Sequence, residues 1–125
     1  MKIFLDDERP TPEGWVGCRW PSEVISLIEQ GDVEVVSLDH DLGDDERGTG
    51  YDVCTWLENK IWNEGWDGDF VPPIFQIHSA NPVGRNRIAW SIRWSLHQFK
   101  VMSATRPERW EKFLRLAEKY PAAPL

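Results

Sequence analysis

"VVSLDHDLGDDERGTG", residues 35–50, decides how the rest of the chain is read. The apolar run Val35-Val36-Ser37-Leu38 stops at Asp39-His40-Asp41, and Asp44, Asp45 and Glu46 follow closely. Short apolar runs bounded by turn formers read as buried strands. Carboxylates crowded together repel and raise one another's pKa. A fold keeps such a crowd where the acids are well solvated, where a cation joins them, or where proton transfer uses them. The end of this strand is therefore where chemistry is expected.

The pattern of an apolar strand followed by polar residues recurs on both sides. Residues 2–5 (KIFL) form a strand that stops at Asp6-Asp7. Residues 71–79 (VPPIFQIHS) form another, its prolines at the entry, ending in His78 and Ser79 with Asn81 just beyond. Residues 9–14 (RPTPEG) are a turn-rich loop, and 15–20 (WVGCRW) a further strand weakened by Gly17.

Helical periods fill the gaps. Residues 21–31 present Val24, Ile25, Leu27 and Ile28 on one face, with Gly31 as the stop. Residues 50–65 repeat Val53, Trp56, Leu57, Ile61 and Trp62 at helical spacing. Residues 81–99 open with Asn81 as N-cap and Pro82 at the first helical position. Residues 100–102 (KVM) leave room for a short fifth strand. Residues 105–120 form a last helix, with a Thr105/Glu108 capping box and a buried stripe of Trp110, Phe113, Leu114 and Ala117. Alternating strands and helices imply a parallel sheet covered by helices on both faces. Ligands of such sheets bind outside the carboxyl ends of the strands. Asp6-Asp7, Asp39-His40-Asp41 and His78-Ser79-Asn81 then meet at one edge.

Composition sets the bounds. A chain of 125 residues with 41% hydrophobic content suits one domain, residues 1–125, with one core. A net charge of -7 and a pI near 4.9 argue against an extended non-specific nucleic-acid surface. They leave room for one small phosphate-bearing ligand held by local cations or a metal. Residues 1–102 hold 9 Lys+Arg against 18 Asp+Glu, whereas residues 103–125 hold 5 against 3. No secretory or membrane-spanning segment is visible. Cys18 and Cys54 lie far apart in apolar surroundings and read as core thiols, which fits a cytoplasmic location.

Each polar group has its chemistry. Asp6, Asp7 and Asp39, from two adjacent strand ends, suit a divalent cation held by oxygen ligands, Mg²⁺ or Mn²⁺. Asp44, Asp45 and Glu46 read as a charged rim. His40 and His78 beside carboxylates suit proton transfer near neutral pH, with Asp39 or Asp41 orienting one ring. One neutral and one charged histidine can take a proton on one side of a reacting group and give one on the other. Ser79, Asn81 and the amides opening the next helix suit phosphate oxygens, with Arg85 and Arg87 in its first turns and Arg9 in "DDERP" as cations. His97 reads as structural. Trp56, Trp62, Trp90, Trp94 and Trp110 fall at helical spacing and read as packing residues. Trp15 and Trp20 flank the weak strand and offer faces to a base.

Three motifs carry a resemblance: "LDDERP" (5–10), "SLDHDLG" with "GTGYDV" (37–53), and "HSANP" (78–82). In this order they resemble the cyclic-phosphate-processing receiver-like domains, degenerate relatives of response-regulator receivers, over residues 2 to 90. The resemblance implies a three-layer flavodoxin/receiver-like α/β fold, a four- or five-stranded parallel sheet in the order 2-1-3-4, and 103–125 as a helix outside the match. It implies an acid pair at Asp6-Asp7, a receiver acceptor position at Asp39, the hydroxyl position at Ser79 and a site role for Arg9. Departures from ordinary receivers are a loop in place of the first helix, no clear counterpart of the fifth-strand lysine, and histidines at 40 and 78. Two functions follow. One is a phosphoesterase acting on a cyclic nucleotide or a 2′,3′-cyclic RNA end. The other is a non-catalytic receiver-like binding module. A conventional phosphorelay receiver fits least.

Overall fold

The computed structural model describes residues 1–39 and 48–121. His40 and Asp41, both expected in the site, and the acids Asp44, Asp45 and Glu46 lie outside the described residues. In chain order the elements are β1 (Lys2–Leu5), β2 (Val16–Cys18), α1 (Pro21–Gln30), β3 (Val35–Leu38), α2 (Gly50–Glu64), β4 (Ile74–Ile77), α3 (Pro82–Met102) and α4 (Pro107–Lys119). The strands form one sheet in the order β2-β1-β3-β4, and every pairing is parallel. This is the expected α/β receiver-like order. Residues 6–15 cross from β1 to β2 without a helix.

Strand register sets the geometry. Ile3, Val36 and Phe75 are partners across the sheet, as are Leu5, Leu38 and Ile77. Side chains alternate between faces along a strand, so these six share one face. All six are buried, and the core continues through Val24 and Ile28 of α1, Val53, Leu57 and Ile61 of α2, and Ile88, Ile92 and Phe99 of α3. The opposite face carries Phe4, Ser37 and Gln76 in one row.

Helix ends follow local rules. Thr49 caps α2, its hydroxyl accepting from Tyr51 N–H while Asp52 accepts from Thr49 N–H. Asn81 caps α3, its side-chain oxygen accepting from Val83 and Gly84 at 3.1 Å each. A Cβ on Gly50 would lie 2.0 Å from the Asp39 carbonyl oxygen, so α2 can start against the end of β3 only with glycine there.

Several boundaries differ from expectation. Residues 100–102 are not a fifth strand but the last turn of α3. Ile88, Ile92, Ser95, Phe99 and Met102 are buried at alternating steps of four and three, so the helical stripe runs through them. The sheet is four-stranded among the described residues. β4 begins after Pro73, because Pro72 and Pro73 have no N–H for the ladder. Thr105 does not cap α4. Pro107 takes the first helical position, Arg106 becomes the N-cap, and Glu108 pairs with Arg106 Nε at 2.8 Å instead. Leu114 is exposed, while Phe113 turns into the core against Phe99 and Trp110.

The tryptophans also differ from expectation. Trp56 and Trp110 pack on the core, but Trp62, Trp90 and Trp94 face outward. Trp15 packs edge-on against Phe4 with Lys2 over its ring. Burial pushes the thiols of Cys18 and Cys54 up to about 11 and about 12, so both are inert packing groups at neutral pH. No helix among the described residues is long and apolar enough to cross a membrane.

Candidate functional site

The site is one row of the sheet, extended past its last paired residues. Leu5, Leu38 and Ile77 are partners, so Asp6, Asp39 and His78 come next in register. The ladder continues that far: Asp39 N–H donates to Leu5 O at 3.1 Å, and His78 N–H to Leu38 O at 3.0 Å. By alternation the three side chains follow Phe4, Ser37 and Gln76 on the same face. Ligand atoms of Asp6, Asp39 and His78 all lie within 4.8 Å of one another.

His78 reaches furthest. It leaves β4, crosses β3 and meets β1. Its ring stacks on Phe4, with centroids 4.2 Å apart and planes 6° apart. Nε2 lies 3.0 Å from Asp6 Oδ2, and Nδ1 lies 2.7 Å from Ser37 Oγ. Ser37 makes this crossing feasible because it is the small residue in an otherwise aliphatic β3. With Asp6 ionised, the partners assign the tautomer: Nε2–H donates to Asp6 and the Ser37 hydroxyl donates to Nδ1.

The electrostatics are set by burial and by these bonds. Burial pulls the His78 pKa below the ordinary histidine value and Arg9 adds to that; the bond to Asp6 and the charges of Asp39 and Asp6 oppose it without restoring it. His78 is therefore neutral at pH 7. The Asp6 side chain is 1% exposed. Burial alone would raise its pKa, but the N–H groups of Arg9 and Glu8, together with His78, outweigh burial and hold it below the usual aspartate value. Those two N–H groups donate to Oδ1 at 2.9 and 2.8 Å, an Asx-type turn that starts the 6–15 loop.

Arg9 closes one side. Its Nη1 donates to the His78 carbonyl oxygen, its Nε lies 3.8 Å from Asp6 Oδ2, and nearly half of its side chain is exposed. Ser79 is buried, and its hydroxyl accepts from Asn81 N–H at 3.2 Å. The first amides of α3 are engaged with the Asn81 cap, and Arg85 N–H donates to Asn81 O. Asp7 does not join the group of Asp6, Asp39 and His78. Arg87 lies over the Tyr51 ring at 4.4 Å, outside that group.

Sequence reasoning overlooked Phe4 and Ser37. A signal was present: counting back two residues from Asp6 and Asp39 lands on them, and Ser37 is the one polar residue inside its strand. For a divalent cation, the donor chemistry of the row fits: two carboxylates and an imidazole whose far nitrogen is steadied by a hydroxyl.

A family model described as cyclic-phosphate processing receiver domain matches residues 1–93. No curated protein and no solved structure matches the chain. The match takes in all four strands, α1, α2 and the first half of α3, and thus every residue of the row and its supports. With most of its length covered in this way, the chain belongs to the cyclic-phosphate processing receiver domain family.

Proposed function

We propose that the domain hydrolyses a cyclic phosphodiester at the Asp6–Asp39–His78 row. The observation that carries this reading is the placing of His78: a neutral, largely buried imidazole held at a strand edge by Asp6, Ser37 and Phe4. Core packing has no need of such a group there.

In ring opening, a water oxygen bonds to phosphorus and one ring P–O bond breaks. The water proton goes to a base, and the departing oxygen receives a proton. The product is a phosphomonoester. Neutral His78 suits the base. In the tautomer assigned above Nδ1 is the basic nitrogen, so the water proton passes to the Ser37 hydroxyl as Ser37 gives its own proton to Nδ1. The imidazolium that forms keeps its Nε2–H on the Asp6 carboxylate, which stabilises it. His40, next to Asp39 in the chain, is the acid toward the leaving oxygen. Arg9, half-exposed at the mouth, neutralises charge building on the phosphate, and the Ser79 hydroxyl proton and Arg85 are further partners for its oxygens.

A divalent cation would be held by Asp6, Asp39 and Nε2 of His78, and would act as a Lewis acid that activates water. An imidazole in the set favours Mn²⁺ over Mg²⁺. Nε2 carries a proton in the metal-free version and would have to be free of it to bind a cation, so the two versions exclude each other. A second reading, a binding module without turnover, draws on the fact that both ring nitrogens of His78 are already engaged.

The test is a screen of cyclic mononucleotides, cyclic oligonucleotides and RNA with a 2′,3′-cyclic end. Hydrolysis of at least one is expected, with His78→Ala lowering the rate by about 10²–10⁴-fold. Activity that survives EDTA selects the metal-free version; activity lost to EDTA and restored by Mn²⁺ selects the other. Binding without hydrolysis of any substrate would favour the module.

A further inference from the structure

The outer side of α3 does not behave like the rest of the protein. In a chain of net charge -7, residues 82–102 carry Arg85, Arg87, Arg93 and Lys100 and no Asp or Glu. Val83, Arg87, Trp90 and Trp94 recur at steps of four and three, so they form one stripe. Val83 is 70% exposed, Trp90 69% and Trp94 54%. Two indoles left in water on one helix face have no packing explanation.

The stripe forms a wall of an open groove of about 620 Å³, with Tyr51 and Glu58 of α2 also lining it. Its lining is mostly apolar, and its volume is that of a small-molecule site. One end of the groove starts at residues that follow the strand edge closely in the chain. Tyr51 follows Gly50, whose backbone lies against the Asp39 carbonyl. Val83 lies in the first turn of α3, whose cap Asn81 follows His78 and Ser79. The groove thus runs along α2 and α3 from the first turns of both helices, which follow the ends of β3 and β4 in the chain. Guanidinium groups are already seated on its rings: Arg87 lies 4.4 Å from the Tyr51 centroid, and Arg93 lies 5.5 Å from that of Trp90.

We infer that this groove is the nucleobase subsite of the enzyme, and that its substrate is a nucleotide or a single-stranded RNA end rather than a base-free cyclic phosphate. The inference rests on the reaction proposed above for the identity of the phosphate site. Flat aromatic faces interleaved with cations are what recognise unpaired bases and their backbone. Glu58 offers a carboxylate to base N–H groups. The length of the stripe, from Val83 to Trp94, suits one or two bases next to the phosphate, which agrees with the acidic character of the remaining surface. A protein partner would use the same apolar area, but it gains nothing from cations concentrated on α3 beside a phosphate site.

Trp90→Ala and Trp94→Ala decide it, both being exposed and remote from the core. Adenosine 2′,3′-cyclic phosphate is compared with base-free methyl riboside 2′,3′-cyclic phosphate. Stacking of about 1–3 kcal/mol per base converts to a rise in KM of about 5- to 140-fold for the nucleotide. The base-free compound should be unaffected, kcat should hold, and Trp90→Phe should restore most of the loss. In parallel, calorimetry with adenosine 3′-monophosphate reads binding without turnover. Loss of that binding in the alanine variants supports the groove even where no cyclic phosphate is hydrolysed, in which case the reaction alone is wrong. Unchanged nucleotide KM and affinity in both variants overturns the groove while leaving the reaction standing. A parental dimer turned into a monomer by either variant, with nucleotide binding intact, overturns it in favour of a contact between copies.

Discussion

Asp6 and Arg109 are the buried charged residues among those described, and they have opposite surroundings. Arg109 lies where α2 and α3 end, at the far edge of the sheet from Asp6. Its Nη1 donates to the Gly68 carbonyl, its Nη2 to the carbonyls of Gly65 at 3.2 Å and Met102 at 3.1 Å, and the guanidinium lies over Phe99. Backbone carbonyls and a ring cannot exchange protons with it, so it acts as a staple that ties α4 to the ends of α2 and α3. Asp6 faces His78, Asp39 and Arg9, which titrate or bind anions. A buried charge answered by backbone is structural. One answered by other ionisable side chains at an open edge is equipped for chemistry.

Substitution at the two positions should separate activity from stability. Asp6→Asn keeps shape and most hydrogen bonds, so hydrolysis is expected to fall about 10²–10⁴-fold with a modest change in melting temperature. Arg109→Met should do the reverse. It takes the side-chain donor from the Gly65 and Met102 carbonyls, while Gly68 keeps Arg106, a loss of about 2–3 kcal/mol, or about 10 °C in melting temperature, with activity per folded molecule retained. Equal loss of activity in the two variants, measured below their melting points, would dissolve the distinction.

The pH dependence of stability sharpens it. Burial lowers the His78 pKa in the folded state, so the unfolded chain takes up a proton first as pH falls. The contribution of His78 is present above the ordinary histidine value of about 6.5 and is lost as pH drops through it toward the folded pKa. Melting temperature in EDTA should therefore decline below that pH, and His78→Gln should flatten the decline. The smallest effect is expected at Cys54. Its thiol, pushed up to about 12 by burial, should resist alkylation at pH 8 until the protein unfolds, whereas rapid labelling of the native protein would show that buried titratable groups on the α2 side also open to solvent.

How far the sequence speaks depends on the range of each interaction. Alternation of strands and helices, the apolar β3 and the proline and asparagine opening α3 are local patterns, and they locate the sheet edge where Asp6, Asp39 and His78 meet. Boundaries were misread where two local signals competed. Lys100-Val101-Met102 has strand-like composition, yet Met102 continues the buried stripe of α3. Thr105 has capping chemistry, yet Pro107 fixes the start of α4. Trp90 and Trp94 sit at helical spacing, which marks a face without saying whether anything covers it.

The sequence by itself determined that acids and a histidine gather at strand ends, because strand direction and connection rules leave a parallel sheet one ligand edge. Only the tertiary structure decided which of them touch. Register aligned Asp6, Asp39 and His78 on one row and left Asp7 out, because a one-residue step along a strand turns a side chain to the other face. Ser37 and Phe4 became partners of His78 because a small residue in β3 lets an imidazole cross two strand spacings, a relation between residues 41 and 74 positions away from it. The exposure of Trp90 and Trp94 was decided by how α2 and α3 pack side by side, which periodicity along one helix does not encode.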